Sequence, residues 1–121
     1  RERLGEVLAA ADVHTIPLRA GLARSSVPSK SYSILAAGRP CVASVDPGTE
    51  VERMLDTSGA GVSVAPDDRA GFVSAIRHLV DHPDERARRG AVGRRWVEGW
   101  ASPAAVAGHY ESLFDELTAR R

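Results

Sequence analysis

The sequence of 121 residues is enough for one domain at most, and its 43% hydrophobic and 26% charged content is ordinary for a soluble globular protein. A net charge of zero excludes a global electrostatic attraction to nucleic acid or to an anionic membrane. No apolar run approaches the roughly 18 residues of a membrane span, and no signal-peptide pattern is visible. The single cysteine, Cys41, cannot form an internal disulfide, and its apolar neighbours predict a buried thiol in a reducing compartment.

The start of the chain suggests a piece of a longer protein. It opens on Arg1, and its only methionine is the internal Met54. Leu4, Val7 and Leu8 follow at once with helical spacing, as if a helix were already under way. We therefore expect one domain over residues 1–121 with neighbouring domains outside it.

Apolar periodicity and turn residues predict alternating strands and helices. In chain order these are a helix over residues 2–10, a strand over 13–18, a helix over 28–37, a strand over 41–45, a helix over 50–56, a strand over 62–65, a helix after 66–68, a helix from 85 to about 96 and a helix over 103–118. This alternation predicts an α/β fold with a parallel sheet.

Turn and cap residues support these boundaries. Gly38 fits a left-handed helix stop, Thr49 is a good N-cap, and Ser102 with Pro103 gives a cap followed by proline in the first turn. Two helices carry strong apolar stripes: one of Phe72, Val73, Ile76, Leu79 and Val80, and one of Val106, Tyr110, Leu113, Phe114 and Leu117. We expect the exposed apolar faces of the terminal helices to drive self-association.

Residues 25–30 form the first candidate site. They follow the first predicted strand and open the next helix, and ligands of open α/β sheets bind at this edge. Backbone N–H groups of Ser26, Val27 and Ser29, the two serine hydroxyls and Lys30 would together hold a diphosphate. Lys30 is the only lysine beside fifteen arginines, and a compact ammonium suits a phosphate contact. An ordinary capped helix remains the alternative.

A second loop, residues 46–50, follows the next strand and lies at the same edge. Gly48 permits close backbone approach, and Thr49 opens another helix toward the same cleft. Glu50 would accept hydrogen bonds from sugar hydroxyls. The alternative is a carboxylate that only favours the first turn of its helix.

Three other groups of residues do not predict a chemical site. The four histidines, His14, His78, His82 and His109, show no metal-ligand spacing, so we expect no metal. The serines of residues 25–29 lack the elbow motif of hydrolases. The basic run of Arg86, Arg88, Arg89, Arg94 and Arg95 predicts a solvated helix face rather than an RNA-binding surface, because aromatic side chains are nearly absent from it.

Several blocks taken together resemble the GT-B glycosyltransferases of the family-4 (group 1) type. The blocks are Ala-Asp-Val at 11–13, Ser-Val-Pro-Ser-Lys at 26–30, Leu-Ala-Ala-Gly-Arg-Pro-Cys-Val-Ala-Ser at 35–44, Gly-Thr-Glu-Val at 48–51, Gly-Ala-Gly-Val at 59–62 and Ala-Pro-Asp-Asp at 65–68. The likeness runs through nearly the whole chain. It implies the second half of a Rossmann-like, donor-binding C-terminal domain.

The resemblance also implies a function and a set of site residues. It implies a cytoplasmic, metal-independent, retaining transferase of cell-surface glycan synthesis, with a nucleotide-diphosphate sugar bound at the start of the second helix. Many members carry two glutamates there, one contacting the donor sugar and one the ribose; the corresponding positions are Ser25 and Ser33. Acceptor, catalytic groups and any membrane association would belong to an N-terminal domain, to which the last helix would cross.

Three alternatives to this hypothesis remain. The first is a sugar-nucleotide epimerase of the same architecture, which would need acid and base groups upstream of Arg1. The second is a degenerate, non-catalytic module that has lost both glutamates. The third, a flavodoxin-like regulatory domain, lacks the acidic pocket of a phospho-receiver.

Overall fold

The computed structural model describes residues 3–22 and 29–120. In this part of the chain the elements are α1 (Leu4–Ala9), β1 (His14–Pro17), α2 (Lys30–Ala36), β2 (Cys41–Ser44), α3 (Glu50–Ser58), β3 (Gly61–Val64), α4 (Arg69–Asp81), α5 (Pro83–Trp100) and α6 (Pro103–Ala119). The predicted alternation is confirmed. The start of α2 that the sequence places at Pro28 lies outside the described residues.

The three described strands form one parallel sheet in the order β1-β2-β3. Residues His14, Cys41 and Gly61 lie side by side at its amino end, and Pro17, Ser44 and Val64 at its carboxyl end. The proline is tolerated because β1 is an edge strand of this sheet. The predicted α/β class with flanking helices and a helical C-terminus is therefore confirmed, in the form of a partial Rossmann-like sheet.

The hydrophobic core lies around the central strand. All four residues of β2 are buried, the pattern expected for a strand covered on both faces. Leu35 of α2 and Leu55 of α3 are fully buried against it, and Val97 of α5 joins the same cluster. Cys41 is fully buried, as its neighbours predict.

Side-chain caps fix the starts of three helices. The Thr49 hydroxyl accepts the N–H of Glu52 at 3.2 Å, and that of Ser102 accepts the N–H of Ala105 at 3.2 Å. An Asp68 carboxylate oxygen accepts the N–H of Gly71 at 2.8 Å and caps α4. The Thr49 and Ser102 caps confirm the boundaries predicted from sequence.

The apolar stripe of α4 predicts the helix but overstates its burial. Only Leu79 of this helix is buried, whereas Val73 and Val80 are about half exposed, at 45% and 52%. A 13-residue helix is about 20 Å long, whereas a four-residue strand spans about 13 Å. The helix is therefore longer than the strands that it packs against.

The prediction of a solvated basic face is wrong for two arginines of α5. Arg86 donates to the carbonyl oxygens of Leu79 and Val80 at 3.2 and 3.0 Å. Arg89 donates to those of Gly59 and Gly61 at 3.3 and 3.1 Å. Carbonyls at helix ends and loops lack regular partners, and a guanidinium supplies several donors at once. The other three arginines of the run, Arg88, Arg94 and Arg95, are exposed as predicted.

Helix α5 runs four residues past its predicted end near Trp96, and it packs closely on the core. A Cβ atom added at Gly90 would lie 2.1 Å from the carbonyl oxygen of Gly38, and one at Gly93 would lie 2.6 Å from the Cβ of Ala60. Glycine is required at these contacts because any side chain would push the helix outward.

Helix α6 buries none of its residues. Its apolar stripe is exposed, with fractions between 41% for Val106 and 60% for Phe114. Among the described residues, no helix is both long enough and apolar enough to span a membrane.

Candidate functional site

The loops that follow β1 and β2 meet at the carboxyl edge of the sheet. The backbone N–H of Gly21 donates to Oδ2 of Asp46 at 2.8 Å and links the two loops. Gly21 has a φ of +83°, a conformation that L side chains rarely adopt. The juxtaposition expected for loops leaving parallel strands is thus present.

A cleft of about 460 Å³ opens at this edge. Its walls come from the end of β1 and the residues after it, from the end of β2 and from the turn after β3: Pro17, Leu18, Arg19, Ala20, Ser44, Pro66 and Asp67. The ends of β1 and β2 and the turn that follows β3 therefore all contribute to it. In open parallel sheets, ligands bind in this position.

Lys30 lies beside that cleft, at the start of α2. Its side chain is exposed and lines a second cleft of about 370 Å³ along β1, which shares Pro17 and Leu18 with the first. The two clefts therefore adjoin. Ser29, the residue before Lys30, has helical dihedral angles and makes no side-chain cap bond.

The remaining candidates of the first loop divide in two groups. Ser33 is half-buried one turn into α2, and its carbonyl oxygen accepts the N–H of Ala37 at 3.0 Å. Ser25, Ser26 and Val27 lie outside the described residues.

The second loop is held by reciprocal hydrogen bonds that resemble a capping box, except that Glu52 binds the residue before the N-cap Thr49. The N–H of Gly48, whose φ is +78°, donates to Oε2 of Glu52, while the hydroxyl of the buried Thr49 accepts the N–H of Glu52. Arg53 donates to the carbonyl oxygen of Gly48 at 2.8 Å. In this state the N–H of Gly48 is engaged within its own helix start, so a phosphate would have to displace Glu52 to reach it.

Glu50 is exposed and lines a further cleft, which the sequence does not predict. Its Oε2 accepts from Nη2 of Arg53 at 3.0 Å, and both side chains line a cleft between α3 and α5. Two tryptophans of α5, Trp96 and Trp100, form the other wall. The available signal was two tryptophans four residues apart on an otherwise arginine-rich helix.

The Cys41 thiol and the possible metal ligands are the remaining groups with reactive chemistry. Burial raises the pKa of the Cys41 thiol to about 12, which keeps it protonated and unreactive at neutral pH. Among residues 3–22 and 29–120, no group of three or more histidine, cysteine, aspartate or glutamate side chains is placed to hold a metal ion. We therefore identify no metal centre in this part of the chain.

Comparison with known proteins decides the family. The model of the family described as "Glycosyl transferases group 1" matches residues 1–82, which include β1, β2, β3 and the helices up to α4. The chain belongs to this family.

One curated relative of this group 1 family member is described as "Probable glycosyltransferase WbjE" from Pseudomonas aeruginosa. The two are 36% identical over 74 residues, which is 61% of this chain and 18% of the relative. The matched part of the chain thus spans less than a fifth of that relative's length. No solved structure matches this family member at a significant level.

Proposed function

We propose that this chain is the donor-binding part of a retaining glycosyltransferase. The full enzyme would transfer a sugar from a nucleotide-diphosphate sugar to an acceptor in cell-surface glycan synthesis, and would work in the cytoplasm without a metal or other cofactor. The observation that carries the proposal is the cleft at the carboxyl edge of the sheet in a member of the group 1 family.

The residues beside this cleft suit a leaving diphosphate. Lys30 brings an exposed ammonium to the second cleft, which adjoins the cleft at the sheet edge along Pro17 and Leu18. A fixed cation stabilises the negative charge that develops as the glycosidic bond to the diphosphate breaks. In the proposal, Ser26, Val27 and Ser29 complete the diphosphate site. Ser25 stands at the position facing the donor sugar and Ser33 at the position facing the ribose, while Gly48, Thr49 and Glu50 approach from the opposite loop. Acceptor and catalytic groups would lie on an N-terminal domain outside this chain.

Nucleotide binding tests the role of Lys30. UDP and GDP are titrated by calorimetry into the 121-residue chain and into the longer protein that contains it. Lys30→Ala should weaken binding of the preferred nucleotide by about tenfold or more, the effect expected for one charge-assisted hydrogen bond.

A matched control is Arg77→Ala, which removes an exposed cation from α4. It should leave the affinity unchanged. If neither nucleotide binds the longer protein, or if Lys30→Ala binds as tightly as the unaltered protein, the proposal fails.

A second candidate function rests on Ser33. A serine stands here where the resemblance leads us to expect a glutamate, so a degenerate module that binds nucleotide sugars without turnover is the alternative. A transfer assay with the longer protein separates the two, because turnover of any nucleotide sugar excludes the degenerate module.

A further inference from the structure

The cleft between α3 and α5 has an aromatic wall. The rings of Trp96 and Trp100 stack with their centroids 6.3 Å apart and their planes 28° from parallel. Tyr32 of α2 stacks on Trp96 at 6.4 Å, and His109 of α6 lies against Trp100 at 4.9 Å. Contacts on both sides therefore hold the indoles in place, although Trp100 remains 54% exposed.

The opposite wall is mixed in character. Met54 and Thr57 of α3 supply its apolar part, and the pair of Glu50 and Arg53 supplies a carboxylate and a guanidinium. These two charged side chains keep 49% and 63% of their surface exposed, so both retain hydrogen-bonding capacity toward the cleft. The cleft has a volume of about 240 Å³.

We propose that this cleft binds one pyranose ring of a saccharide. A pyranose has an apolar face of C–H groups that suits the face of an indole, and hydroxyls around its rim. Each hydroxyl both donates and accepts, so adjacent hydroxyls can donate to Glu50 and accept from Arg53 at once. Drug-sized ligands occupy about 300–1,000 Å³, so the smaller cleft suits a single ring.

A pyranose fits better than a nucleobase. Trp96 and Trp100 stack on each other, and the facing wall of the cleft contains no ring, so a flat base would find no aromatic sandwich. A base also offers no cluster of neighbouring hydroxyls to the charged pair.

The inference deepens the proposed function, on which it rests for the expectation of a saccharide ligand. The ring has two sources: the sugar of the donor, or a saccharide acceptor. Glu50 begins α3 directly after the loop that follows β2, so the cleft lies beside the carboxyl edge of the sheet and either source can reach it.

Intrinsic fluorescence tests the proposal directly, because both tryptophans of the chain line this cleft. The 121-residue chain is titrated with a panel of methyl pyranosides, with UDP, and with the corresponding nucleotide sugars. We expect a saturable change in emission with at least one methyl pyranoside. A stronger response to the nucleotide sugar than to UDP and the pyranoside separately identifies the donor as the source, and an equal response to the free pyranoside identifies an acceptor.

Variants locate the binding. Trp100→Ala, read through Trp96, should weaken pyranoside binding by about tenfold, the scale of a lost stacking contact. Trp100→Phe should retain most of the affinity, and Glu50→Gln should lose about as much as Trp100→Ala. Phe114→Ala removes a similarly exposed aromatic ring from α6 and should have no effect.

Two results overturn the inference: no pyranoside changes the emission while UDP binds, or Trp100→Ala binds the pyranoside as well as the unaltered chain. The first leaves the proposed nucleotide site intact, so the two failures are distinguishable. Thermal unfolding of each variant, monitored by circular dichroism, tests whether loss of the fold is the cause.

Discussion

Glu85 is the centre of a charged cluster where α4 and α5 meet. Its Oε2 bonds to Nε2 of His78 at 2.8 Å, and its Oε1 accepts from Nε of Arg89 at 2.7 Å. The hydrogen bond from His78 and then that from Arg89 lower the pKa of this carboxyl to about 2. Since Arg89 also binds the carbonyl oxygens of Gly59 and Gly61, the cluster connects α5 to both ends of the turn before β3.

Glu85→Gln should lower the free energy of unfolding at neutral pH but not in acid. The pKa of a glutamate in an unfolded chain is about 4.3, so the native carboxylate adds stability above that pH and loses it as the pH falls toward 2. Urea unfolding at pH 7 and at pH 2.5 should therefore show a difference between variant and unaltered chain that shrinks in acid.

Glu98→Gln is the control for this prediction. It removes a carboxylate from an exposed pair with Arg94 on the same helix, where its side chain is 57% exposed. Exposed pairs contribute under about 1 kcal/mol, so its effect should be small at both pH values. An equal loss for both variants would contradict a special role of Glu85.

At the scale of elements, the contact of α5 with the core depends on residues without side chains. Gly90 lies against the backbone of Gly38, just after α2, and Gly93 lies against Ala60, just before β3. Both glycines are buried although they lie within an arginine-rich helix. The helix can therefore approach the ends of two other elements at once.

Gly90→Ala should destabilise the fold by about 1–3 kcal/mol, because the added methyl group would overlap a backbone carbonyl oxygen 2.1 Å away. Gly99→Ala on the same helix is the matched control: its Cβ would meet nothing within 4 Å, and the substitution should stabilise the helix by up to about 1 kcal/mol. Urea unfolding of both variants measures the two effects. Effects of the same sign would show that helix propensity, and not the close approach, governs Gly90.

The sequence predicts elements well where a local residue sets their limits. Thr49 and Ser102 make the caps expected of them, and Gly38 has the left-handed φ of +70°. Helix α5 ends later than the sequence predicts, because Gly99 is tolerated within it and the helix continues to Trp100, just before the Ser102 cap of α6.

Tertiary placement explains what the sequence does not predict. Parallel strands predict that the first two loops share one sheet edge. The hydrogen bond between them joins the backbone N–H of Gly21 to the carboxylate of Asp46, 25 residues later, and no local pattern predicts it. The aromatic cleft requires α3 and α5 to pack side by side, and no pattern within either helix specifies this.

At the scale of the whole molecule, five of the eleven exposed large hydrophobic side chains of the described residues belong to α6. Its five stripe residues keep between 41% and 60% of their surface in solvent. Apolar patches of this kind mark contact surfaces in soluble proteins. The expectation that this helix drives self-association stays a prediction.

Sedimentation equilibrium at rising concentration measures this association. We expect the unaltered 121-residue chain to form dimers or larger species, and the double change Leu113→Glu with Phe114→Glu to remain monomeric, since charge on the stripe opposes its burial. Ser112→Glu adds a charge on the opposite side of α6 and should not dissociate the assembly. The prediction would be contradicted if the unaltered chain stays monomeric at high concentration.

The part of the chain that matches the family model is shorter than the part that folds together, because α5 packs closely on the core. The family match ends at residue 82, one residue before this helix begins. Yet Val97 belongs to the hydrophobic core, Gly93 lies against Leu35 and Ala60, and Arg89 binds the carbonyls around β3. A segment beyond the matched residues thus completes the interior of the matched part. A piece of this chain cut at the limit of the family match would lose part of its own core.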